Sequence, residues 1–134
     1  ELTNAIKAAA PSYGVFRPET LAFMFKNYPF LNEIAPINNI PEASKRAIPQ
    51  LLFRGSEDGL IKDEEVKAYE RALSKAGQRV EYIQVGGANH AFFDWKPDTK
   101  TQATFNKYGK YHAHEMLLFF DSVLEGLDKT ENTN

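Results

Sequence analysis

The chain of 134 residues contains no cysteine, so it can form neither a disulfide nor a thiolate metal site. It also lacks any charge excess. Sixteen basic residues against eighteen acidic ones leave a formal net charge of -2, with no basic field to hold phosphates, which argues against nucleic acid as a partner. No apolar run approaches the roughly 20 residues that a membrane-spanning helix needs, which argues against a membrane partner. Internal repeats are absent, and the only low-complexity stretch is the polar "DKTENTN" at residues 128–134, which reads as a disordered tail. What is present is ordinary for one globular unit: 43% hydrophobic and 25% charged residues. A chain of this length buries roughly two-thirds of its unfolded surface, which is enough for a core.

The opening "ELTNAIKAAAPSYGVF" reads two ways: its alanines favour helix, while a short apolar run ending at Pro11 and Gly14 suits a strand buried on both faces. In "RPETLAFMFKNYPFLNEI", Pro18 fits a first helical turn, and Leu21, Phe25 and Tyr28 are spaced as one helix face. Pro29, Pro36 and Pro41 then break the chain, so residues 15–48 read as a cap-like insertion or connection. "AIPQLLFRGSEDGL" is the clearest strand-to-loop signal, with Leu51, Leu52 and Phe53 followed by a polar turn between Gly55 and Gly59. "KDEEVKAYERALSKAG" predicts a helix with an acidic first turn, the stripe Val66, Tyr69, Ala72 and Leu73, and Gly77 as its stop. "RVEYIQV" alternates as a strand does, and helical patterns follow from about Asp98 and from about Tyr111 to Leu127. Met116, Phe119, Phe120, Val123, Leu124 and Leu127 form the apolar face of the last one. Strands separated by helices predict an α/β fold with a parallel sheet of about three strands and covering helices.

Loops at the carboxyl ends of such strands are where α/β folds place their chemistry. Asp58 and His90 each lie just past such an end. An imidazole exchanges protons near neutral pH, and a carboxylate on its far nitrogen holds it in one tautomer, so the two suit a base and its orienting acid. The residues alone leave alternatives open: Asp58 as a turn residue, His90 as an ordinary loop histidine, or Glu57 as the acid. Ser56 does not fit a nucleophile elbow, G-x-S-x-G, because Arg54 and Asp58 stand where the glycines belong. His112 and His114 are two residues apart, on roughly opposite helix faces, and read as ordinary helix residues rather than a metal pair. Phe92, Phe93 and Trp95, just past His90, suit a core first and a substrate pocket wall second, and Leu60 and Arg54 are weaker candidates for lining the same cleft.

"PQLLFRGSEDGLI", a helix, and then "RVEYIQVGGANHAFF" resemble the back half of an α/β-hydrolase. The likeness is to the small carboxylesterase and carbohydrate-esterase branch, whose members remove acetyl or feruloyl groups from plant polysaccharides. Gly55, Ser56, Glu57 and Asp58 match its strand end and triad acid, and Gly87, Ala88, Asn89 and His90 its turn and triad histidine. The resemblance implies a strand for residues 5–13, and residues 1–127 as the C-terminal half of a hydrolase domain, incomplete on its own. It implies an ester substrate such as an acylated carbohydrate, hydrolysed by a serine esterase without cofactor or metal. No G-x-S-x-G occurs in the chain. The nucleophile serine and oxyanion donors are therefore expected on an N-terminal half that acts as partner, and the chain alone is expected to be inactive. Secretion or a periplasmic location would accord with the resemblance. Two rival readings are a non-catalytic α/β binding module derived from a hydrolase and a flavodoxin-like fold, the latter without a Gly-rich phosphate loop to support it.

Overall fold

The structure, a computed structural model, describes residues 5–131. In the insertion, α1 (Pro18–Met24) and α2 (Leu31–Ile34) precede a short 3-10 turn at Pro36–Asn38. Strand β1 (Gln50–Gly55) then leads through α3 (Asp63–Lys75) to β2 (Val80–Val85). The chain closes with α4 (Thr99–Thr104), a π-helical turn at Phe105–Gly109 and α5 (Lys110–Glu131). Strands β1 and β2 pair in parallel, from Gln50 opposite Val80 to Gly55 opposite Val85.

Residues 9–13 supply a third extended segment beside β1. Ala9 N–H donates to Pro49 O and Ala9 O accepts from Leu51 N–H, while Pro11 O accepts from Phe53 N–H and Tyr13 N–H donates to Phe53 O. The rung missing from this ladder is the one Pro11 would donate, because proline has no N–H. The contact is thus two isolated parallel bridges, Ala9 with Gln50 and Ser12 with Phe53, rather than a continuous strand. This places the opening segment as a strand-like neighbour of β1, in keeping with the parallel three-strand expectation.

The core divides by the pleat of β1, whose successive side chains face opposite ways. Leu51 and Phe53 join Val85, Phe92, Phe119 and Val123 beneath α5, whereas Leu52 joins Ile61, Val66, Tyr69, Leu73 and Phe16 beneath α3. Covering on both faces explains why β1 reads as an unbroken apolar run. Buried polar side chains fasten the insertion. Glu65 accepts from Phe16 N–H at 3.0 Å and Thr20 Oγ1 at 2.6 Å. Gln78 donates to Pro41 O and Arg46 O and accepts from Ile48 N–H, each at 2.8 Å.

Two boundaries differ from expectation. Helix α1 stops at Met24, so Leu21 is buried while Phe25 and Tyr28 are about half exposed. Pro29 disfavours helical backbone at Tyr28, and the apolar spacing does not persist as a face. The ladder of α5 runs on to Glu131, taking in four residues that composition assigned to the tail; residues 132–134 lie outside the described part.

Candidate active site

The loop after β1 is built around its own polar groups. Asp58 N–H donates to Gly55 O at 3.1 Å, and Asp58 Oδ1 accepts from the amides of Leu60 at 2.8 Å and Ile61 at 2.9 Å. Such an Asp-centred turn satisfies backbone donors that a loop would otherwise leave unpaired. Arg54, buried at the end of β1, clamps the same loop: its Nε donates to Ile61 O at 2.5 Å and its Nη2 to Asp58 O at 2.8 Å. Arg54 was expected at the rim of a cleft and is instead an internal fastener.

The loop after β2 is stitched to the first. Ser56 N–H donates to Val85 O, Gly87 N–H to Ser56 Oγ at 2.7 Å, and Glu57 N–H to Ala88 O at 2.9 Å. Gly55 permits this approach, since a Cβ there would run into the carbonyl of Ala88. Gly87 takes a φ of +73° in the turn, and Ala91, directly after His90, takes +59°. A left-handed non-glycine residue beside a polar side chain is the kind of strain that clusters at functional loops.

These loops bring His90 Nδ1 to 2.9 Å from Asp58 Oδ2. The Asp58 side chain is fully buried, and that of His90 is 31% exposed. Burial pushes the Asp58 carboxyl up, but the Ile61 amide, the His90 ring and the Leu60 amide together outweigh it and hold the group below the ordinary carboxylate range. An ionised acid at Nδ1 selects the tautomer whose Nε2 carries a lone pair. No described protein group hydrogen-bonds to Nε2. His90 opens on a cleft of about 460 Å³ lined also by Asn89, Asp94, Lys96, Thr104 and Tyr108.

The remaining candidates separate. Leu60 is 60% exposed and lines a different depression of about 550 Å³ with Arg17, Phe23 and Glu64. Phe92, expected at a pocket wall, is fully buried between Tyr13 and His112 and does not reach the cleft. Trp95 is exposed but is not among the residues lining the cleft. Glu57 is exposed and its amide, not its carboxylate, takes part in the loop contacts. Ser56 Oγ accepts from Gly87 and serves as a tie between loops. Both histidines are residues of α5: His114 is exposed, whereas His112 is fully buried, 2.6 Å from Ser12 Oγ. Tyr13 was missed altogether; its ring lies 4.9 Å from that of His90. Its one sequence signal was its place between a strand-like run and Gly14. Among the described residues, no group of three His, Asp or Glu could hold a metal ion.

An acid and a histidine meeting past the carboxyl ends of adjacent parallel strands, with helices on both faces, place the chain among the α/β-hydrolases. Residues 1–124 match the Dienelactone hydrolase family, and the chain belongs to it. It is similar in fold to a thermophilic esterase of the planctomycete Thermogutta terrifontis, at 23% identity and a TM-score of 0.56 for the native form and 23% and 0.54 for the propionate-bound form. These cover 85% of this chain and 42% and 43% of theirs, so the chain spans about two-fifths of that esterase. The cyclosarin-phosphonylated esterase 2 from the same organism is 25% identical with a TM-score of 0.51, covering 85% of this chain and 41% of its own. No curated protein matches the sequence.

Proposed function

We propose that this chain carries the acid and histidine of a serine ester hydrolase, Asp58 and His90, and works with a nucleophile serine and oxyanion donors held on an N-terminal half. The observation that carries this reading is the 2.9 Å contact between buried Asp58 Oδ2 and His90 Nδ1, with His90 lining a cleft. Phosphonylation of the similar Thermogutta esterase by cyclosarin supports an activated nucleophile in relatives.

In the proposed reaction, His90 Nε2 takes the serine proton as Oγ adds to the ester carbonyl carbon. It then returns that proton to the departing alkoxide as the acyl-enzyme forms. A water attacks the acyl carbon next, giving its proton to Nε2. That proton passes back to the serine as the carboxylic acid leaves. Asp58 stays ionised throughout and stabilises the imidazolium. The substrate we propose is an ester of a polar alcohol, such as an acylated carbohydrate. The amide, hydroxyl and ammonium groups of Asn89, Thr104, Tyr108 and Lys96 around the cleft support that class.

The test measures p-nitrophenyl acetate hydrolysis by the chain alone and co-expressed with a serine-bearing first half of a family domain. Background rates alone and hydrolysis on complementation, lost in His90→Gln, are expected. Activity of the isolated chain that Asp58→Asn abolishes would overturn the divided reading. An inert, well-folded complement would overturn the esterase reading.

A further inference from the structure

We propose that Tyr13, anchored by Asp94, is a positioning residue for the His90 ring, a second brace beside the Asp58 hydrogen bond. This rests on the reading of His90 as the base. One hydrogen bond at Nδ1 holds a single edge of an imidazole, and the ring can still pivot about that bond and sweep Nε2 through an arc. A second body packed against the ring limits that pivot. Tyr13 provides one: its ring centroid is 4.9 Å from that of His90, tilted by 57°. Its other neighbour is Phe92, edge-on at 5.5 Å and 79°.

Three independent fixings hold Tyr13. Its N–H donates to Phe53 O at 2.8 Å, as the last rung against β1. Phe92, fully buried, backs the ring. Its hydroxyl donates to Asp94 Oδ1 at 2.7 Å, and Asp94 lies four residues past His90 on the same loop. Burial, with the Asp94 hydrogen bond and charge adding to it, raises the phenol well above its ordinary value, so the hydroxyl remains a donor at any working pH. The tyrosine therefore ties the end of the 9–13 segment to the far side of the histidine loop, across the ring it covers.

The backbone points the same way. Tyr13 has a φ of +44°, a left-handed conformation that a bulky residue adopts at a cost. Glycine would take that conformation freely, and glycine stands next door at position 14. Strain retained at an aromatic residue packed against a polar site is accounted for by what the side chain does there.

The test uses ring nitrogen–proton correlation spectra of the full chain without substrate, recorded on Tyr13→Gly, Tyr13→Phe and Asp94→Ala. Tyr13→Gly keeps the backbone conformation and removes the ring. Its unfolding midpoint should fall, because the Phe92 packing and the Asp94 hydrogen bond are lost, while the His90 signals broaden and the ring's two nitrogen shifts move toward each other. Tyr13→Phe, which keeps the ring and loses the Asp94 hydrogen bond, should shift the His90 signals part of the way in the same direction, with faster exchange of the Nδ1 proton. In the complemented enzyme, Tyr13→Gly should lower kcat about 10- to 100-fold with KM changed less than about twofold. His90 signals in Tyr13→Gly that overlay the wild type overturn the brace. Should that variant fail to fold, Asp94→Ala, on an exposed loop, decides: it should shift His90 in the same direction, and no shift overturns the proposal. Because the spectra need no substrate, a brace that holds in a chain that never gains activity sinks the esterase reading alone.

Discussion

His112, in the first turn of α5, is sealed into the core, with no exposed surface and the rings of Phe53 and Phe93 at 4.0 and 4.2 Å. Its Nε2 meets Ser12 Oγ at 2.6 Å, and its buried Nδ1 has no hydrogen-bond partner among the described residues. An imidazolium here would need acceptors at both nitrogens and has one, so burial lowers the pKa from 6.5 to about 4. The sign of the consequence follows. The unfolded chain takes up a proton near pH 6.5, and the folded one refuses it until about pH 4. Stability is therefore constant above that window and falls as pH falls through it. At about 1.4 kcal/mol per pH unit, the gap between 6.5 and about 4 amounts to about 3 kcal/mol. About 2 kcal/mol of that is gone by pH 5. Urea unfolding at pH 7 and pH 5 measures it, with the double variant Ser12→Ala/His112→Leu as reference, since it removes the titrating group without orphaning the hydroxyl. The wild type should lose about 2 kcal/mol more than the variant between the two pH values. Equal losses would refute the reasoning. Asp58 does not interfere, because its lowered pKa makes stability fall only below the ordinary value of 3.8.

Further predictions follow from the loops. Asp58→Asn should leave the fold intact but reduce kcat of the complemented enzyme about 10³- to 10⁴-fold, read by p-nitrophenyl acetate turnover, because the amide favours the wrong tautomer. Gly55→Ala should destabilise by about 1–3 kcal/mol in urea melts and shift the His90 ring signals, since the added methyl meets the Ala88 carbonyl. Arg54→Met should cost at least about 2 kcal/mol by the same melts, the carbonyls of Ile61 and Asp58 losing charged donors. Glu65→Ala should release the insertion, so limited proteolysis should cut within 17–48 faster than in the wild type.

Much of the fold was legible because it rests on local regularities. The run Leu51–Phe53, the stripe of α3 with its acidic start and the alternation of 80–85 are short-range patterns, and each element formed where its pattern lay. The Asp58–His90 pair was legible because strand ends are visible in sequence and parallel neighbours share an edge. Phe25 and Tyr28 misled because helical spacing without a facing partner does not make a face. Phe92 misled for another reason: adjacency to His90 in sequence says nothing about which side of the loop a ring turns to.

Taken alone, then, the sequence determined the order and type of the main elements and the two residues that meet past the strand ends, since hydrophobic period, glycine turns and strand direction are written in neighbouring residues. Only the tertiary structure decided that Arg54 and Ser56 are fasteners, that His112 is sealed in the core against Ser12, and that Tyr13 covers the histidine. Ser12 and His112 are 100 residues apart, and Tyr13 and Asp94 are 81 apart. Such contacts depend on how separate elements stack, and no local pattern encodes that.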